Sequence, residues 1–395
     1  MREEKGEIFM LDKAHYENPL RNQCMSIPDL CEDQIAGVRK GIEESISPEK
    51  LKNIRRVILT GCGDSYFAGR AVIPAFKKFA GKFGNKFSVE RCIDVSRFIE
   101  LPEKEAASTL VIAVSASGGP ARVEEALLRA KKHGCMTMAL TNNPDSRAAK
   151  AAEFMLIVNT PVFPNPNPGL RNYYASLTGL LMFAAYLGEC KGISPVGTMD
   201  SLADAIRAYT KSYAAILPQI DEKMFQLAIQ WKDYATIETI ADDISASTAM
   251  FIGAKFVEVA GIMAPHIDSE DWCHVNYFSH APEKIGTIIV ADIKDNNRTR
   301  IGETIHQAAG IGRPVLLIAN GTGKDFGVSE EMTELVVPDA PKNYEFLLPL
   351  LNYIPGSILA SYVSELIGEP YFRAGTGHWG DEGVGTIKSS QVIVL

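Results

Sequence analysis

The sequence predicts an α/β protein made of two doubly wound parallel-sheet domains in tandem, each a three-layer αβα sandwich. Three observations predict it. Short apolar runs alternate with helix-period segments along the 395 residues. Those runs lack the in-and-out alternation of a half-exposed strand, as strands buried on both faces do. The order of strands and helices, completed near residue 200, then starts again as a diverged copy.

Residues 1–50 carry few apolar residues and read as an N-terminal arm whose stretch from Ile27 to Ile46 is helical. The first domain, 51–200, opens with the apolar run 55–61, which ends in glycine. Residues 64–80 follow with helical periodicity broken only by Pro74. Strands are predicted over 86–94, 109–115, 135–141 and 152–159. The helix over 120–134 has proline at its start and glycine at its end, the usual polarity of helix punctuation. Residues 171–189 form a long apolar helix. A linker helix lies around 200–230. The second domain, 201–368, repeats the pattern with strands at 235–242, 285–293, 313–320 and 334–339, and helices at 246–264, 299–310 and 346–368. A glycine-rich tail, 369–395, has little periodicity and is placed over the surface, where it closes a site.

Composition narrows the function. The formal net charge is −8, which offers a nucleic-acid backbone no basic surface. The seven cysteines include no C-x-x-C pair, so neither a zinc site nor a disulfide framework is expected. The chain shows no secretory signal, and its longest apolar helix candidate, residues 177–188, is too short to cross a membrane. A cytoplasmic location with no membrane partner is the expectation.

Ligands of doubly wound sheets bind beyond the carboxyl ends of the strands. Two loops sit there. The first is Gly61-Cys62-Gly63-Asp64-Ser65-Tyr66 and the second Ser115-Ala116-Ser117-Gly118-Gly119-Pro120. Glycines allow close backbone approach, and hydroxyls with helix N–H groups suit a phosphate dianion. Each loop by itself is also what a tight turn with a capped helix requires. Two such loops at equivalent positions favour a binding site.

The stretches 61–69 (GCGDSYFAG) and 115–119 (SASGG), at this separation, resemble the two phosphate loops of the SIS (sugar isomerase) domain family. The pattern is similar to the isomerase half of the glucosamine-6-phosphate synthases, from about residue 51 to the C-terminus. That resemblance implies two SIS domains, with Ser65, Ser115 and Ser117 holding a sugar phosphate beside Gly61, Gly63, Asp64 and Gly118. The family carries G-A-L-K-x-K-E on a helix of its second domain; here Gly253-Ala254-Lys255-Phe256-Val257-Glu258 keeps the Lys-x-x-Glu spacing, one residue short before the lysine. Positions i and i+3 share a helix face. By the resemblance Glu258 is the base that moves a proton between C2 and C1 of an open-chain sugar. His280, in His280-Ala281-Pro282, matches the ring-opening histidine, which the family supplies from a neighbouring subunit; this implies a homodimer. Lys388, in Ile387-Lys388-Ser389-Ser390, matches the family's tail lysine. Otherwise a Lys-x-x-Glu pair is commonly a solvated one, a loop histidine commonly a hydrogen-bonded one, and a tail lysine simply solvated.

The sequence also departs from the pattern. Asp64 stands where threonine is usual, and a carboxylate beside a phosphate must turn away, protonate or meet an amine. Pro120 replaces a phosphate-binding threonine and Ala116 a polar residue. The corresponding loop of the second domain reads Ala241-Asp242-Asp243-Ile244-Ser245 and is not expected to bind phosphate. No glutaminase half is recognised ahead of residue 51. The expectation is therefore a cofactor-free, metal-free sugar-phosphate isomerase or amino-sugar-phosphate deaminase or deglycase, with Lys255 or Lys388 stabilising the developing oxyanion. The alternatives are a non-catalytic sugar-phosphate sensor and a nucleotide-binding oxidoreductase. Against the latter, Asp94 falls too far beyond Gly63 for the dinucleotide fingerprint.

Overall fold

Arg56–Gly61 is rich in apolar and β-branched residues, and it forms β1, an interior strand of a five-stranded sheet. The structure, a computed structural model, describes residues 11–101, 103–374, 377–380 and 387–395. Beside β1 lie β2 (Lys86–Arg91), β3 (Thr109–Val114), β4 (Met136–Thr141) and β5 (Phe154–Ile157), in the order β2-β1-β3-β4-β5 and all parallel. β3 is buried along its whole length, whereas edge strand β2 is half-exposed, which explains why only the central strands read as continuous apolar runs.

The second sheet contains β6 (Thr236–Ile240), β7 (His266–Ile267), β8 (Ile285–Ala291), β9 (Val315–Ala319) and β10 (Thr333–Val336), in the order β10-β9-β8-β6-β7. Read from its first strand, this is the topology of the first sheet, as the repeated sequence pattern predicts. β7 escapes the sequence because two residues carry no period.

Helices differ from expectation in four places. Asp64–Ala80 runs unbroken through Pro74, held against Leu170–Cys190 and Ser245–Lys255; tertiary packing outweighs the one lost backbone hydrogen bond. The linker is two helices, Thr198–Ala214 and Leu217–Trp231. The predicted helix 246–264 stops earlier: Ser245–Lys255 passes into a π turn, Phe256–Ala260, and ends at Gly261 in the left-handed region. The predicted helix 346–368 is a 3-10 segment, Glu345–Leu350, followed by Ile354–Leu366. That 345–366 stretch, and not 177–188, is the one described helical segment long and apolar enough to span a bilayer, and all of it is buried inside the protein.

One apolar core fills the space between the sheets and draws on both halves of the chain, including Val57 and Leu110 from the first sheet and Ile237, Ile288 and Leu316 from the second. Helices Pro19–Met25 and Ile27–Glu43 contribute Leu20, Ile27, Ile35 and Val38 to it, so residues 19–43 pack into the core as helices. Two smaller clusters cover the outer faces of the sheets.

Candidate active site

β1 and β3 are neighbours, and the chain leaves their carboxyl ends in opposite directions, β1 toward β2 and β3 toward β4. Such a divergence opens a crevice between the two loops. A cavity of about 480 Å³ lies there, lined by Gly63, Asp64 and Ser65 of the first loop, Ser115 and Ser117 of the second, and Glu258 of the second domain.

The loop geometry demands its glycines. Gly63 has φ +52° and Gly118 φ +62°, a region side-chain-bearing residues rarely adopt. A Cβ on Gly118 would also stand 2.0 Å from Ser146 Oγ. Gly61 is required for another reason, since a Cβ there would meet Ser65 Cβ at 2.6 Å. In the second loop, the Gly118 N–H donates to Ser115 Oγ at 3.1 Å and the Gly119 N–H to Ser117 Oγ at 3.3 Å. Each hydroxyl keeps its own hydrogen, the donor an anion needs. The helix that follows, Ala121–Lys132, is less open than expected, because the Ala121 N–H donates to the Ile387 carbonyl of the tail at 2.9 Å.

Lys255 is wholly buried and does not line the cavity. Its ammonium donates to Asp64 Oδ2 at 2.8 Å and to Glu258 Oε2 at 2.5 Å, and it sits 4.6 Å from the Phe251 ring centroid. Asp64 thus meets an amine, and that amine comes from the other domain. Burial opposes the charge on Lys255, but the two carboxylates outweigh it and hold its pKa up. Glu258 is also pushed up: burial raises it, Lys255 pulls it down, and Asp64 raises it again. One ammonium serving two carboxylates cannot satisfy both. Lys255, expected with Lys388 as a candidate for stabilising an oxyanion, thus lies behind Asp64 and Glu258 and not at the cavity surface.

Two predicted residues lie apart from this cluster. His280 is exposed and outside the cavity lining, in the segment between Asn276–Phe278 and β8. That segment is anchored by a buried network: Glu238 accepts from Arg313 Nη1 at 2.6 Å and from Trp272 Nε1 at 2.5 Å, and also from Asn276 Nδ2. Lys388 is exposed beside the second loop, its Cε 3.7 Å from where a Cβ of Gly119 would lie. The tail is tied down there by Arg147 Nη1 on the Lys388 carbonyl at 2.5 Å and the Ile393 N–H on Glu125 Oε2 at 2.8 Å. Residues 375–376 and 381–386 of the tail lie outside the described residues.

Asn172, Tyr173 and Ser176 also line the cavity, from the start of Leu170–Cys190. The sequence signal was present: Asn172 and Ser176 are polar residues one turn apart on a largely apolar helix. Burial, with a lesser push from Asp64, holds the Tyr173 phenol well above its usual pKa, so it stays protonated. At the equivalent edge of the second sheet, Asp242 accepts from the Ser269 N–H at 3.0 Å and from Asn297 Nδ2. A smaller cavity there carries Asp242, Asp243, Asp268 and Asp271 beside Arg70 and His266. So acidic a lining repels phosphate.

Comparison with known proteins agrees with this architecture. Residues 50–186 match the family model described as SIS domain. The chain is 25% identical over 372 residues to the glutamine–fructose-6-phosphate aminotransferase (isomerizing) of Thermococcus kodakarensis, covering 91% of this chain and 57% of that protein. It therefore spans less than three fifths of that relative's length. Among solved structures, the C-terminal domain of glucosamine-fructose-6-phosphate aminotransferase from Francisella tularensis superposes with a TM-score of 0.77 at 16% identity, covering 92% of this chain and 100% of that one. Tagatose-6-phosphate ketose/aldose isomerase from Escherichia coli gives 0.68 at 16%, over 89% and 93%. Glucosamine-6-phosphate deaminase from Thermotoga maritima gives 0.61 at 15%, over 90% and 97%. At these identities the likeness to the solved structures is one of fold.

Proposed function

From the match of residues 50–186 to the SIS domain model, we propose that the protein transfers a proton within a hexose 6-phosphate or amino-hexose 6-phosphate, as an isomerase, deaminase or deglycase. The observation that carries the reading is Glu258. It faces, across one cavity, the serine loops suited to a phosphate, and burial with a neighbouring carboxylate raises its proton affinity.

Ser65, Ser115 and Ser117 donate to the phosphate, and the Gly63 and Gly118 turns hold their loops. Glu258 removes the proton from one of C1 and C2 and returns it to the other, through an enediol or enolamine. Lys255 keeps Glu258 and Asp64 in register without touching the sugar. Lys388 stands at the cavity rim, where the tail brings a cation to the developing oxyanion. His280 opens the sugar ring from a second copy of the chain, and the working form is a homodimer.

Asp64 and Glu258 present two carboxylates against a single buried ammonium. A net negative wall suits a protonated amine better than a hydroxyl, which favours the amino-sugar branch. There, isomerisation to the C2 iminium is followed by addition of water and release of ammonia.

Proton exchange in deuterium oxide, followed by NMR, tests the reading with hexose 6-phosphates, amino-sugar 6-phosphates and amine-linked fructose 6-phosphates. Deuterium uptake at C1 or C2 that disappears in Glu258→Gln is the expected result, and the reactive compound names the branch. Binding of these sugars without exchange would make the protein a sensor.

A further inference from the structure

Two cysteines meet beside the first phosphate loop, and the proton-transfer chemistry uses neither. β1 and β2 are paired up to Gly61↔Arg91, so Cys62 and Cys92 are the first residues after the last pair, leaving neighbouring strands at the same level. Neighbouring strands stand about 4.8 Å apart, inside the roughly 4.4–6.8 Å between Cα atoms that a disulfide spans. Paired residues of parallel strands also point to the same face. The two thiols lie close enough that each shifts the proton affinity of the other. Their surroundings differ sharply: Cys62 is exposed and lines the cavity, while Cys92 is buried, its Sγ 3.2 Å from the Arg122 carbonyl.

We propose that Cys62 and Cys92 form a reversible redox pair, in which a hydroperoxide oxidises Cys62 and Cys92 resolves it to a disulfide that ties the first phosphate loop to the end of β2. The sulfur of Cys62 attacks one peroxide oxygen; the S–O bond forms, the O–O bond breaks, and the second oxygen leaves as water or alcohol. The Cys92 sulfur then attacks the Cys62 sulfur, the S–S bond forms, and the sulfenic oxygen departs as water with the Cys92 proton. Two thiols lose two electrons and the hydroperoxide gains them.

The environment is arranged for these roles. The neighbouring Cys92 thiol draws the Cys62 pKa down, burial works against it, and Arg122 adds to the lowering. Cys62 and burial push Cys92 up, and of the two only Cys62 is exposed, so Cys62 is the thiolate that reacts first. Cys62 stands between Gly61, whose contact with Ser65 leaves no room for a Cβ, and Gly63, with its positive φ. A covalent tie at Cys62 therefore shifts Ser65 and Asp64, and a bound phosphate shields Cys62 from the oxidant. The effect on ligand rests on the function proposed above; the bond itself does not.

Mild treatment of the native protein with hydrogen peroxide, then N-ethylmaleimide blocking and tryptic mass spectrometry, tests the pair. The expected product joins peptides 57–70 and 92–97, is lighter by two hydrogens than the free pair, disappears with dithiothreitol, and is absent from both Cys62→Ser and Cys92→Ser. In Cys92→Ser, dimedone traps the sulfenic acid on Cys62. Glucosamine 6-phosphate, if it binds the reduced protein, binds the oxidised form about ten-fold or more weakly, the cost of displacing a charged hydrogen bond, and slows formation of the crosslink. Oxidation of other thiols with no 57–70/92–97 crosslink overturns the proposal, as does a crosslink that leaves an established affinity unchanged. Failure of the reduced protein to bind any sugar phosphate counts against the proposed function, while the peptide map still decides the pair.

Discussion

At the scale of single residues, the site turns on three side chains, a Lys255–Glu258 pair and an Asp64 that the sequence keeps far from it. Lys255 is fully buried and is stable there only because Asp64 and Glu258 compensate it. The same arrangement sets the proton affinity of Glu258, and the signs can be worked out. Asp64 raises it, so Asp64→Asn lowers the acid limb of the kcat/KM profile. Lys255 lowers it, so Lys255→Met moves that limb upward. Opposite shifts in the two variants, measured over the acidic half of the pH range, are the expected outcome; shifts of the same sign would place the titrating group elsewhere. Glu258→Gln should remove turnover and leave ligand affinity within about three-fold, because the amide keeps the shape and loses only the base. Isothermal calorimetry beside the kinetic assay separates the two effects.

At the scale of elements, two turns and one buried network hold the functional groups in place. Gly118→Ala meets Ser146 Oγ and an unfavourable φ together, and should cost about 1–3 kcal/mol in denaturant unfolding and weaken phosphate binding as well. The segment bearing His280 depends on Glu238. With Arg313 wholly buried against it, Glu238→Ala leaves a charge uncompensated and should cost about 3–5 kcal/mol. Hydrogen exchange is expected to rise across 274–284 in that variant. These elements were unevenly legible. The glycine-and-serine loops were visible because their chemistry is local, a strand end followed by small and hydroxylic residues. The π turn over Phe256–Ala260 was not, since it differs from a regular helix only in how the backbone settles against its neighbours.

At the scale of the whole molecule, the two sheets share one large core, and each half keeps only a smaller cluster of its own. Equilibrium unfolding is expected as a single transition, with far-ultraviolet circular dichroism and tryptophan fluorescence coincident, Trp231 reporting the shared core and Trp272 the outer face of the second sheet. The N-terminal helices belong to that unit. Arg21 Nε and Nη2 donate to Asp221 at 2.9 and 2.7 Å, and Tyr362 donates to the same carboxylate at 2.7 Å. Burial raises the Asp221 pKa, but bonds from Arg21, Lys13 and Tyr362 outweigh it and bring it from 3.8 to about 2. A carboxyl whose pKa is lowered by folding gives stability that is complete above its unfolded value and lost as pH falls through the folded one. The stability gap between wild type and Asp221→Asn should therefore be widest above about pH 4 and close toward pH 2, which urea melts across that range will show.

The sequence by itself determined the class of fold, the doubling of the domain and the two loops at the carboxyl ends of β1 and β3, because hydrophobic period, punctuation by proline and glycine, and loop chemistry are all written within a few adjacent residues. It also raised the right question about Asp64, whose charge is wrong for a phosphate loop unless an amine meets it. Only the tertiary structure answered that question. Lys255 lies 191 residues from Asp64 in the chain, and the two meet because the helix Ser245–Lys255 packs on Asp64–Ala80 inside the shared core. The same packing gives Asn172 and Ser176 to the cavity and keeps His280 out of it. Side chains far apart in sequence are brought together by the burial of whole helix faces, which no local pattern records.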